Sequence, residues 1–232
     1  MIKAIAFDFD HTLYDRDATY ENLVDDFMAY FADELQEGIS RERVLKVMQD
    51  CDRTGIYKDH HWEGIYRDTL ASGIFRKNPT YQKYYHEFLE DNYPAAIVLY
   101  KDTISALEEL RRRGYKVGIL TNGPSEYQHM KVNRVHLPEH VDCVVVGGDL
   151  PHQKPHKYAF EVVCEKMGCA LEEAAYVGDN PINDMDGARQ AGLTPIWIRS
   201  VDIWLDAVEP VEHSIVALGE LPDLLDSINA KQ

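Results

Sequence analysis

The sequence predicts an α/β fold: an open parallel sheet with helices on both faces, interrupted near its start by an inserted helical module. Three observations support this. Short apolar runs of five to seven residues recur along the chain and read as buried parallel strands. Amphipathic helical patterns fill the gaps between them, the alternation of a doubly wound sheet. One gap, between the first run and the second, is about a hundred residues long, far more than the dozen or so a crossover needs.

The first strand is expected at Lys3–Phe9 (KAIAFDF). The long gap follows and is helical. Leu23, Val24, Phe27, Met28, Phe31 and Leu35 mark one apolar stripe. Val44, Leu45, Val47 and Met48 mark a second, after an expected Ser40 N-cap. Tyr81, Tyr84, Tyr85, Phe88 and Leu89 form a third, expected to stop at Pro94. Residues 15–95 therefore read as a separate helical domain set into a core domain of residues 1–14 and 96–232. A helix with Ile104, Leu107 and Leu110, ending at Gly114, leads into the second strand, Tyr115–Thr121. The third strand is expected at Val141–Gly147, the fourth at Ala174–Gly178 and the fifth at Thr194–Ile198. Helices are expected over Lys157–Met167 and Asn183–Ala191, the latter ended by Gly192. A short run, Ser214–Leu218, adds a sixth strand before a closing helix around Pro222–Ile228.

Composition narrows the function classes. A chain of 232 residues, 45% hydrophobic and 28% charged, can bury a core without disulfides or structural metal. Its formal charge of −16 argues against general nucleic-acid binding, because phosphates would be repelled. Cys51, Cys143, Cys164 and Cys169 show no paired metal spacing, and reduced buried thiols are expected. Lys3 alone precedes the first apolar run and acidic residues follow at once, so no signal peptide is expected. No stretch approaches the roughly 18–20 apolar residues of a membrane span, and a cytoplasmic location is expected.

The chemistry-bearing residues collect at strand ends, where open α/β sheets bind ligands. Asp8 and Asp10 close the first strand. Two apart on a strand, they are expected to share a face about 6–7 Å apart. An acidic pair there can also simply face water. The second strand ends in Thr121, Asn122 and Gly123, a hydroxyl and then a turn exposing N–H groups, suited to phosphate oxygens and equally to an ordinary turn. Lys154 precedes Pro155 after the third strand. Asp179 and Asp184 follow the fourth, where carboxylates also serve as helix caps. Four strand ends converging on Asp, Asp, Thr, Lys, Asp and Asp outweigh the separate plain readings.

In this order the residues resemble the haloacid dehalogenase-like hydrolase superfamily. DFDHT matches its first motif (Asp-x-Asp-x-Thr), ILTNG its second, the Lys154-Pro155 pair its third and GDNPIND its fourth. The helical insertion matches the mobile cap of one branch, which would close over substrate and exclude bulk water. The resemblance implies a Rossmann-like sheet of strand order 3-2-1-4-5. Receiver domains, which also gather Asp, Thr and Lys, are half this length and carry the acceptor Asp on the third strand.

The resemblance further implies a Mg²⁺-dependent phosphatase acting on a small phosphate monoester, of nucleotide or sugar phosphate type. Asp8 would be the nucleophile, and Asp10 the acid and base. Thr121, Asn122, Gly123 and Lys154 would bind phosphate. Mg²⁺ would be held by Asp8, the Asp10 main-chain carbonyl and Asp179, with Asp184 and Asn180 in the outer shell, holding Lys154 or a metal-bound water. Crowding by other carboxylates is expected to raise the pKa of Asp10. Within the family, a 2-haloacid dehalogenase and a sugar phosphomutase are alternatives, although carbon–halogen cleavage needs neither Asp10 nor magnesium. A noncatalytic binding protein on the same fold is the alternative of another class. No obligate protein partner is inferred. His11, His152 and His156 are expected to be spectators. His60, His61 and Trp62 could form a binding loop in the inserted domain, or pack. The many tyrosines there are mostly expected to be helix contacts.

Overall fold

The computed structural model of the chain describes residues 1–55, 61–200 and 204–231. The strands in chain order are β1 (Ala4–Phe7), β2 (Tyr14–Asp15), β3 (Val98–Leu99), β4 (Lys116–Thr121), β5 (Cys143–Val146), β6 (Ala174–Gly178), β7 (Thr194–Ile198) and β8 (His213–Ile215). The helices are α1 (Arg16–Tyr30), α2 (Arg41–Gly55), α3 (His61–Ala71), α4 (Glu90–Ala96), α5 (Thr103–Arg112), α6 (Ser125–Arg134), α7 (Lys157–Met167), α8 (Gly187–Ala191) and α9 (Leu221–Ala230). Two compact units form, Met1–Tyr14 with Leu99–Gln232, and Asp15–Val98. The short β2–β3 ribbon carries the chain across the boundary in both directions.

The first unit is built on a parallel sheet ordered β5-β4-β1-β6-β7-β8. This is the expected 3-2-1-4-5 order with the sixth strand added at one edge. Register sets which residues meet. Phe7 pairs with Ile119 and Val177, so β4 runs two residues further, to Thr121, and β6 one further, to Gly178. All strands point the same way, so their carboxyl ends share one edge.

Ala159, Phe160, Val163, Cys164 and Met167 of α7 pack on Ala4, Ala6, Leu120, Val145, Ala174 and Tyr176 of one sheet face. Small residues let the helix approach: a Cβ on Gly118 would lie 3.0 Å from Cys143 Sγ and Met167 Sδ. Ile5, Phe7, Val117 and Ile119 alternate with that set and take the opposite face, where α5 packs on β4 and α9 on α5.

β1, Ala4–Phe7, is shorter than the expected Lys3–Phe9 because the chain turns after Asp8. The sixth strand lies at His213–Ile215, one residue earlier than expected, and ends sooner because the chain turns at Leu218–Glu220. The expected helix over Asn183–Ala191 starts two residues earlier, as a widely wound helical segment over Pro181–Asp186, and continues as α8.

The second unit is helical. Phe27, Phe31, Phe75, Tyr84 and Phe88 form its aromatic centre, with neighbouring ring centroids 4.6–6.2 Å apart. Ser40 Oγ accepts the Arg43 N–H at 3.3 Å, capping α2. The third apolar stripe coils widely over Gln82–Leu89 and continues into α4. Pro94 was expected to stop this helix but lies inside α4, which ends two residues later at Ala96. α3 was not anticipated, although Trp62, Ile65, Tyr66 and Leu70 recur at helical spacing along it. The tyrosines are mostly packing groups: Tyr20, Tyr84, Tyr85 and Tyr93 are buried, and Tyr81 stacks on Tyr85 at 5.5 Å. Tyr57 and His60 lie outside the described residues. No described helix is long and apolar enough to cross a membrane.

Gly118 offers a test of the α7 packing. Gly118→Val should destabilise the fold by about 1–3 kcal/mol through overpacking, read as a lower urea midpoint at unchanged m-value.

Candidate active site

Asp8 is the first residue beyond β1, and its N–H still donates to Val177 O at 2.8 Å. The chain then turns instead of extending. The Thr12 and Leu13 N–H groups donate to Phe9 O at 3.3 and 3.0 Å, and His11 adopts φ 59°. The expectation that Asp8 and Asp10 are neighbours on one strand face is therefore corrected: Asp8 ends the strand and Asp10 stands in the turn. The turn forms because the Phe9 ring is buried against Tyr14, with centroids 4.7 Å apart, rather than on the sheet.

Lys154 is buried, and all three of its ammonium hydrogens are used. Nζ donates to Asp8 Oδ1, Asp184 Oδ1 and Tyr176 Oη, each at 2.7 Å. Tyr176 in turn donates to Leu120 O at 2.7 Å, which fixes the phenol between β6 and β4. The Asn122 amide clamps the lysine backbone, donating to Lys154 O at 2.8 Å and accepting its N–H at 3.0 Å. The Asn122 side chain thus serves Lys154, and only the main chain of that turn is left to serve a phosphate. Lys154, expected to bond phosphoryl oxygens, has its hydrogens committed and offers its charge.

Asp10 has different partners. Its Oδ1 accepts from Lys131 Nζ at 2.6 Å and Tyr14 Oη at 2.5 Å, and its Oδ2 from Gln128 Nε2 at 2.9 Å. A lysine, a phenol and an amide hold Asp10, which still stands close enough to Asp8 and Asp179 to raise both. Gln128 also reaches Thr121 Oγ1 at 2.7 Å.

Asp8, Asp179 and Asp184 are buried together, one carboxylate oxygen of each within 4.8 Å of the others. Gly178 makes this possible, since a Cβ there would collide with the Asp184 carboxylate. Asp184 holds Lys154 with one oxygen and accepts the Asn180 N–H with the other, at 3.0 Å. Asn180 Oδ1 accepts the Ile182 and Asn183 N–H groups at 3.0 and 2.9 Å, so its side-chain oxygen caps the following turn rather than holding Lys154. Asp179 Oδ2 is buried without a hydrogen-bond partner. Burial lifts the Asp8 carboxyl to about 7, against the pull of Lys154, with Asp184 and Asp10 adding to the rise. Burial, then Asp184 and Asp8, push Asp179 well above the carboxylate range. Three buried carboxylates sharing one ammonium, with one oxygen unpartnered, make a donor set that fits a hard, oxygen-seeking cation.

The chain matches the sequence model of the haloacid dehalogenase-like hydrolases over residues 5–198. It belongs to that family. The HAD phosphatase of Thermococcus onnurineus, a solved structure, is 31% identical and superimposes with a TM-score of 0.63 over 97% of this chain and 98% of its own. N-acylneuraminate-9-phosphatase of Homo sapiens is 29% identical over 99% of this chain and 96% of its own length. Phosphoserine phosphatase of Thermus thermophilus is 36% identical over 54% of this chain, and the chain spans about half, 49%, of that relative's length.

His152 and His156 are tied to the start of α7. His156 caps α7 by accepting the Tyr158 N–H at 3.2 Å, and His152 stacks on it at 4.3 Å. In the helical unit, His61 lies 3.3 Å from Arg16 Nη2, and Arg16 pairs with buried Asp52. The sequence reading missed Tyr14, Gln128, Lys131 and Tyr176. Gln128 and Lys131 lie on the buried side of α6 with Tyr127 and Val132, at positions that packing alone would make apolar, and this burial shows only in the structure.

A carboxyl raised on folding binds its proton more tightly in the native state, so the metal-free protein should lose stability as pH rises through the window from about 4 to about 7. Above that window the Asp8 part of the penalty is complete, a few kcal/mol. With chelator present, Asp8→Asn should raise the urea midpoint at pH 8 and leave it nearly unchanged at pH 4.

Proposed function

We propose that this chain is a Mg²⁺-dependent phosphatase of small phosphate monoesters that works through an aspartyl phosphate on Asp8. The observation that carries this reading is the placement of two carboxylates, two residues apart, in separate settings. Asp8 is paired with Lys154 inside the acidic cluster, and Asp10 is held outside that cluster by Lys131, Tyr14 and Gln128. Halide displacement would need the first and not the second. The named relatives, all phosphatases, support the same choice.

Mg²⁺ would be held by the Asp8 and Asp179 carboxylates and the Asp10 main-chain carbonyl, and would supply positive charge between Asp8 and a phosphate dianion. Asp184 orients Lys154, which lowers the repulsion met by the incoming phosphoryl group. The Thr121 hydroxyl and the N–H groups of the Asn122–Gly123 turn would bond its oxygens. In the first step an Asp8 oxygen attacks phosphorus, the P–O bond to the leaving group breaks, and Asp10 gives that oxygen a proton. In the second, water attacks the aspartyl phosphate, Asp10 takes the water's proton, and inorganic phosphate leaves as the Asp8 carboxylate is restored.

Phosphate release should be measured across sugar phosphates, nucleoside monophosphates and phosphoserine, with Mg²⁺ and with chelator. Release from at least one ester with Mg²⁺ is expected, with none in Asp8→Asn and a loss of about 10²–10⁴-fold in Asp10→Asn. Wild-type protein that releases phosphate from none, or Asp8→Asn that still turns over, would sink the reading.

A further inference from the structure

We propose that Gln128 and Lys131, one helical turn apart on α6, are positioning residues that hold the Asp10 carboxylate in register with Thr121 for both proton transfers. This rests on Asp10 being the acid and base of the phosphatase reaction.

The geometry is over-determined. The Lys131 ammonium is buried and lies 5.3, 5.4 and 5.6 Å from the ring centroids of Phe9, Tyr14 and Tyr127. These faces favour a cation and restrict where it can sit. From there Nζ reaches Asp10 Oδ1 at 2.6 Å and Gln128 Oε1 at 2.8 Å. An ammonium only donates, so the second contact fixes which way the Gln128 amide faces, oxygen to the lysine and nitrogen to the site. Nε2, with two hydrogens, one of them shared, then meets three acceptors, Asp10 Oδ2 at 2.9 Å, Thr121 Oγ1 at 2.7 Å and Asn122 O at 2.8 Å. One amide therefore ties the proton-transfer carboxylate to the end of β4.

The tie also sets the Thr121 hydroxyl. Gln128 donates to Oγ1, so the hydroxyl hydrogen must point elsewhere, and its contact with Asn122 O is a long 3.5 Å. That leaves the hydrogen able to turn to a phosphoryl oxygen. Gly123 is part of the same fit: it has φ 128°, and a Cβ there would lie 2.9 Å from Gln128 Cγ. Burying a lysine and a glutamine beneath a helix costs more than burying leucines unless each polar group is matched. Here the partners are the groups proposed to move the proton and bind phosphate.

The test separates steps that need Asp10 from one that does not. Departure of p-nitrophenolate needs little proton donation, whereas departure of an alkoxide, and hydrolysis of the aspartyl phosphate, need Asp10. Rapid-quench kinetics with Mg²⁺ should compare wild type with Lys131→Met, Gln128→Met and Lys131→Arg, on p-nitrophenyl phosphate and on glycerol phosphate. In Lys131→Met, p-nitrophenyl phosphate should give a burst of about one nitrophenolate per chain at near wild-type rate, then turnover about 100-fold slower. In Gln128→Met, which also releases the Thr121 hydroxyl, a burst of the same size should be slowed by less than the later turnover. In both Met variants the first turnover of glycerol phosphate should also be about 100-fold slower, and Lys131→Arg should recover most of both losses. The burst counts working sites, so a misfolded variant is distinguished from a mispositioned Asp10. A burst slowed as much as the glycerol phosphate step, or no change in either substrate, would overturn the proposal. Active wild type with unmoved variants would overturn it alone, while wild type that turns over neither ester would overturn the phosphatase reading with it.

Discussion

The Lys154 ammonium stands at the centre of the first unit, its three hydrogens divided among Asp8, Asp184 and Tyr176. Each acceptor comes from a different part of the chain: the end of β1, the turn after β6, and β6 itself. The lysine backbone is clamped by Asn122, just beyond β4, and Tyr176 is anchored on Leu120 of β4. A buried ammonium with a hydrogen left over would be strongly destabilising, so these four segments must be in register together. The parallel sheet supplies that register by pairing Phe7 with both Ile119 and Val177. The fold and the charged centre are in this sense one constraint.

The centre is also unbalanced. One lysine faces Asp8, Asp179 and Asp184, and burial without further positive charge drives the Asp8 and Asp179 carboxyls toward their protonated forms. A proton relieves the strain at the cost of the nucleophile, whereas a divalent cation would relieve it and keep Asp8 charged. Asp10 has a cation of its own, Lys131, at 2.6 Å. Two carboxylates two residues apart can do different work when each has its own cation. The turn at Phe9–Leu13 is what separates them, since a continued strand would have left both in the acidic cluster.

Much of this was legible in the sequence, and what escaped has physical causes. Strands buried on both faces announce themselves as apolar runs, so the sheet and its order could be anticipated, and the Asp, Thr and Lys positions stood at strand ends. Where the chain leaves a strand is weaker in sequence: Phe9 continues the apolar pattern of β1 but packs against Tyr14 instead. Pro94 misled in the same way, because a proline near a helix end removes one N–H without forcing a stop. Gln128 and Lys131 were invisible for a different reason. A polar residue on a surface-type helix reads as solvated unless its partners are known, and Asp10 lies more than a hundred residues earlier. Long-range polar matches carry no local pattern.

Small residues decide how tightly the centre can close. At Gly178 any side chain would collide with Asp184, so a substitution there would push away the carboxylate that holds Lys154. At Gly148 a Cβ would come within 2.5 Å of the main chain of Gly123 and Ser125, so the loop after β5 could not lie against the turn after Thr121. That close approach carries Lys154 to Asn122, and the same turn presents Gln128 to Asp10. The glycines are therefore part of the charged site although they carry no charge. They permit close approach where polar side chains must meet at 2.6–3.0 Å, and an added methyl group at Gly148 or Gly178 would force the Gly123–Ser125 main chain or the Asp184 carboxylate to shift.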